Sequence, residues 1–177
     1  MRPARLVYPG GPLLQEKNPA AARAAYEKDL AIQMDKRGDG AEATFAMRGL
    51  GDVALFERKP DLAIAFFERA RQVLQKRPQS SRFLRVPVLT ALGRAHLAAG
   101  RRSDAAAILE QAMALADANG EFSRLAGARA KFQLARAVSA SGQRARAADL
   151  ARAAQGVLAG HRDADEIDRW LERHPAR

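Results

Sequence analysis

A chain of 177 residues, 47% hydrophobic and 28% charged, is long enough for one continuous core or for three to four short helical repeats. Aromatics are only 6% and alanine dominates the apolar residues, which favours closely packed helices over a β-sandwich. The absence of cysteine excludes disulfides, thiolate metal sites and thiol nucleophiles, while the net charge of +10 raises the question of an acidic partner.

Taken in chain order, Met1 to Leu14 carries Pro3, Pro9, Gly10, Gly11 and Pro12, so residues 1–17 are expected to form an irregular segment. No apolar stretch of signal-peptide length follows the early arginines, and none later approaches a membrane span. A soluble, cytoplasmic protein is the expectation. Asn18-Pro19 reads as an N-cap with proline at the first helical position. Ala22, Tyr26 and Asp29 then match Ala63, Phe67 and Ala70 at a shift of 41 residues, so 18–40 is read as a second helix lacking its first. The triplet Arg37-Gly38-Asp39 falls at a predicted turn between repeats, which makes an adhesion role a coincidence of spelling.

Three segments repeat downstream, at about 41–80, 83–120 and 122–160. Gly51, Gly93 and Ala135 are spaced by 42 residues, as are Ala63, Ala105 and Ala147. The series Phe67, Leu109, Ala151 and Ala70, Ala112, Ala154 keep the same register. Glycine within a helix costs roughly 1 kcal/mol against alanine. A close crossing of two antiparallel helices would offset that cost, with Phe67 and Leu109 expected to fill the space between repeats. Finally, 161–177 is expected to be a capping helix. Asp163 and Glu166 have capping-box spacing, and Ile167, Trp170 and Leu171 make one apolar face. A solenoid needs such a cap at a finished end. The amino end looks open by comparison, as expected of the tail of a longer protein or of a chain that pairs with a second copy.

The leucine–glycine pair of the first helix and the small–large–small spacing of the second resemble the tetratricopeptide repeat over about residues 18–160. The 42-residue period is similar to the longer variety seen in kinesin light chains, spindle-orientation adaptors and bacterial signalling proteins. The family's first-helix aromatic is replaced here by His96 and Val138, and its closing proline is displaced to Pro78 in the first repeat. The resemblance implies an all-α, right-handed α-solenoid of about eight helices. It further implies a non-catalytic protein-interaction module whose first helices line a concave groove.

Carried onto this sequence, the family's groove positions are Arg48, Asp52, Leu55 and Phe56, then Thr90, Arg94 and Leu97. The third repeat supplies Arg129, Phe132, Gln133, Arg136 and Ser139. Arg129, Phe132, Gln133 and Arg136 share one helix face by spacing. A basic stripe around an aromatic suits an extended peptide with carboxylates and one apolar anchor. The competing reading is that these charges pair within the array. Asp52 and Arg94, equivalent positions one repeat apart, leave the two readings level, whereas Arg129 and Arg136 favour the groove. The asparagines that accompany lysines in chaperone-tail clamps are absent.

By blocks of forty residues the net charge is +2, +2, +2 and +5, with −1 for the last seventeen. Arginine exceeds lysine about fourfold, and together with abundant alanine this reflects GC-rich codons as readily as nucleic-acid binding, which is therefore disfavoured. His96 is read as a packed histidine, and the acidic group Asp163, Asp165, Glu166 and Asp168 as the charged first turn of a helix rather than a cation site. No phosphate loop, dinucleotide fingerprint or nucleophile elbow occurs. The expectation is no enzyme and no cofactor. The partner is expected to be a protein or peptide of acidic character, bound by an adaptor in a bacterial cytoplasm; the alternative is a regulatory sensor tail of a kinase or transcription regulator acting in trans.

Overall fold

The computed structural model describes residues 18–35, 41–76, 82–118, 120–161 and 163–175. Residues 1–17, the Arg37-Gly38-Asp39 triplet and Pro78 lie outside them. The described residues form eight α-helices and no strand, in two compact units divided between Ser80 and Ser81. The first unit holds α1 (Pro19–Asp35), α2 (Ala41–Phe56) and α3 (Pro60–Gln75). The second holds α4 (Arg82–Ala98), α5 (Arg102–Ala118), a 3-10 turn (Gly120–Ser123), α6 (Arg124–Ala140), α7 (Arg144–Leu158) and α8 (Ala164–Arg173).

In the first unit α2 packs between α1 and α3. Asn18 caps α1, its Oδ1 accepting the Ala21 N–H at 3.1 Å, and Pro19 follows at the first helical position, as the sequence indicates. Two glycines of α2 serve two neighbours. A Cβ on Gly49 would collide with the Tyr26 ring of α1, and one on Gly51 with the Phe67 ring of α3. Tyr26 thus joins Ala22, Leu50 and Val53 in one apolar cluster, while Phe67 is wholly buried against the other side of α2.

The second unit repeats the device. A Cβ on Gly93 of α4 would lie 2.5 Å from Leu109 Cγ of α5, and one on Gly127 of α6 would lie 2.8 Å from Ala116 Cβ. Phe67 and Leu109 therefore fill the crossing within a helix pair, and Leu109 also joins the core shared with α6 of the next repeat. In the third pair both members change: Ala135 stands where glycine was and Ala151 stands where the large residue was, both fully buried. A methyl added on one helix is matched by volume removed from the other, as a close-packed interior requires. The core of this unit runs from Leu109 through Phe132, Leu134 and Val138 to Leu158, Ile167 and Trp170.

One turn recurs at the 42-residue period. Lys59 N–H donates to Ala54 O and Arg58 N–H to Leu55 O; Arg101 to His96 and Gly100 to Leu97, then Gln143 to Val138 and Gly142 to Ser139, repeat the pair. This double bond closes a helix with a left-handed residue, the usual place for glycine. Gly100 and Gly142 have φ of 75° and 86°, but the first repeat puts Arg58 there at φ 59°. Pro87 sits inside α4, where it can donate no backbone hydrogen bond, and the Thr90 hydroxyl donates to Val86 O at 2.8 Å in the same stretch.

Candidate peptide-binding face

Each unit carries its part of the basic positions named above. In the first, Arg48 of α2 stands over the Phe45 ring at 5.7 Å, and Asp52 lies half-buried one turn on. Leu55 is half-buried and Phe56 exposed at the end of the same helix. Close by, the half-buried Glu57 carboxylate accepts from Arg23 of α1 at 2.7 Å and from Lys59 at 2.8 Å, tying α1 to the turn before α3. The hydrogen bond from Lys59, and then Arg23, hold the Glu57 carboxyl below the usual glutamate range against the opposing effect of desolvation.

In the second unit, Arg94 is half-buried on α4, Leu97 packs against the main core, and the Thr90 hydroxyl is engaged by its own helix. His96 is buried, its Nδ1 3.7 Å from Asp104 Oδ2 on α5. Among the described residues no group of three metal-ligating side chains comes together. On α6 the structure brings Arg129, Phe132, Gln133 and Arg136 to one side, with α8 lying over them. Arg129 Nε donates to Asp163 Oδ2 at 2.7 Å. Arg136 donates to Gln133 Oε1 at 3.2 Å and stands 3.6 Å from Glu166 Oε1. Phe132 is 4% exposed, with Trp170 of α8 meeting its ring edge-on at a centroid distance of 6.0 Å.

Two readings of the sequence change here. Asp163 occupies the N-cap position of α8, yet its side chain makes no capping hydrogen bond and is directed to Arg129 instead. Phe132 is a floor beneath Trp170 and not an open anchor. Sequence reasoning placed Trp170 on an apolar face without finding its two ring partners, Phe132 below and His174 stacked at 4.3 Å. It also missed the pairs Arg23–Glu57, Glu110–Arg146 and Arg129–Asp163. Their common signal is opposite charge at separations of 34 to 36 residues, a little under one repeat period.

Residues 46–118 match the family described as Tetratricopeptide repeat. No curated protein matches the sequence. Among solved structures, a putative kinesin light chain from Podosopora anserina with nearly identical TPR-like repeats is 21% identical. It superposes with a TM-score of 0.72 over 93% of this chain and 81% of that one. The Rap conjugation gene regulator of plasmid pLS20, solved with the Phr* peptide, is 16% identical with a TM-score of 0.72, covering 93% of this chain and 50% of that one. The apo form of RapI gives 10% identity and a TM-score of 0.69, over 89% of this chain and 44% of that one. The fold is thus that of the TPR-like helical repeat proteins. Sequence similarity to that family is confined to residues 46–118, while the likeness in fold extends over most of the described residues.

Proposed function

We propose that this chain is a non-catalytic adaptor that binds an acidic segment of a protein partner on its arginine-bearing first helices, with Arg129 and Arg136 as the principal contacts. Both guanidinium groups pair with carboxylates of this chain, Asp163 at 2.7 Å and Glu166 at 3.6 Å, as the competing reading expects; what supports the adaptor reading is that the same face receives carboxylates beside an aromatic floor. That is the chemistry an acidic, apolar-anchored segment would bring. Arg48, Asp52, Arg94 and Gln133 extend the same surface chemistry within their own units. Pre-stacked helices hold such side chains at little cost in ordering entropy on binding.

A neighbour of the same fold was solved with a bound peptide, the Phr* peptide of the pLS20 regulator, which supports peptide recognition and, as a second reading, a sensor role in a bacterial cytoplasm. Among the described residues no helix is long and apolar enough to cross a membrane. The test is a nuclease-treated pull-down from the source cell with wild type beside Arg129→Glu, Arg136→Glu. A protein retained by wild type and lost from the double variant supports the adaptor reading, and its identity as a kinase or transcription regulator would select the sensor. Retention unchanged by the charge reversal would refute the assignment of these arginines. Nucleic acid as the retained species would refute the adaptor itself.

A further inference from the structure

The last helix meets α6 in a pattern that defines what else could lie there. Asp163, Glu166, Ile167 and Trp170 fall at i, i+3, i+4 and i+7, one stripe of a helix. The two carboxylates reach Arg129 and Arg136, Ile167 is fully buried, and Trp170 closes over Phe132. Charge is complementary on a wider scale. Residues 163–175 carry five acidic side chains against two basic, whereas α6 and α7 together carry seven basic residues against Asp149 alone.

We propose that the α6 face formed by Arg129, Phe132 and Arg136 is a docking site for an acidic amphipathic helix, and that α8 is its resident occupant, displaced when a partner helix with the same stripe binds. This rests on the adaptor reading and deepens it: the ligand is helical, with acidic residues at i and i+3 and apolar residues at i+4 and i+7.

Three features of α8 suit a displaceable element. It has ten residues, too few for a helix to persist unaided in water. Its N-cap carboxylate is directed to Arg129 and makes no capping hydrogen bond to its own first turn. Beyond α6 it packs on α7, where Ile167, Trp170 and Leu171 join the core with Ala151, Ala154 and Leu158, and its polar contacts, including Gln155–Asp168 at 2.6 Å, are exposed or part-exposed. Such segments open at lower free energy than the core that supports them. While α8 is closed, a competitor sees only the open fraction, and its apparent affinity falls by that fraction.

The probe is a dye-labelled synthetic peptide of residues 161–177, titrated against the full chain by fluorescence anisotropy. It is compared on wild type, Asp163→Asn with Glu166→Gln, and Trp170→Ala, with circular dichroism confirming that helix content is kept. The amide pair weakens α8 in cis while leaving its shape intact, so the peptide is expected to bind that variant about tenfold more tightly than wild type. Trp170→Ala gives a larger gain, and adding Arg129→Glu, Arg136→Glu removes binding in every background. Peptide affinity that does not differ between wild type and both loosened variants overturns the proposal, as does affinity indifferent to the arginines. The adaptor reading fails separately: a cellular partner held through Arg129 and Arg136 equally by wild type and loosened chains would uphold that reading and exclude α8 as the occupant.

Discussion

Replacing Gly93 by alanine should reveal whether the helix crossing is set by volume. The new Cβ would stand 2.5 Å from Leu109 Cγ, 2.8 Å from Cδ2 and 3.0 Å from Cδ1. Carbon pairs settle at about 3.5–4.0 Å, so the methyl overlaps three atoms of a fully buried side chain. Overpacking of that kind costs about 1–3 kcal/mol. Helix propensity returns about 1 kcal/mol, leaving Gly93→Ala destabilising by about 0–2 kcal/mol. Leu109→Ala alone should cost about 2–5 kcal/mol. Together they recreate the Ala135–Ala151 combination of the third pair, and the clash disappears. The double variant is therefore expected to be no less stable than Leu109→Ala, a favourable coupling of about 1–3 kcal/mol. Urea unfolding followed by far-UV circular dichroism measures the cycle, provided the m-values agree across the four proteins. Additivity to within about 0.5 kcal/mol would refute the volume argument.

Arg58→Gly relieves a left-handed φ of 59° that only glycine adopts freely, and should stabilise the first unit by about 1 kcal/mol in the same assay. Pro87→Ala restores a hydrogen bond to α4 and is expected to raise stability by about 1 kcal/mol or more, with no gain if the ring's packing outweighs it. Glu57 has its folded pKa depressed by Lys59 and Arg23, so its stabilising effect is full above the unfolded glutamate value of about 4.3 and is lost as pH falls through the lower folded value. Glu57→Gln should consequently flatten the acid limb of the stability curve from about pH 4.3, the unfolded glutamate value, downward to the folded pKa; an unchanged limb would remove Glu57 from the account. Binding through Arg129 and Arg136 should weaken as salt rises, measured on whatever partner the pull-down retains.

Much of the array could be read before any coordinates because its determinants are local and repeated. Glycine against Phe67, glycine against Leu109 and alanine against Ala151 recur at one spacing, and all six positions are buried as that spacing implied. Proline after Asn18 marked the start of α1 for an equally local reason. The basic face of α6 was legible too, since Arg129, Phe132, Gln133 and Arg136 share a helix side whatever surrounds them. What α8 does to that face was not. Asp163 has two satisfying uses, capping its own helix or pairing with Arg129, and both fit the same residue at the same position. Only the placement of α8 over α6 brings the guanidinium to 2.7 Å and Trp170 over Phe132, deciding between them. Helix periodicity is a property of neighbours in the chain, whereas partner choice for a charge depends on which distant surface packing delivers to it.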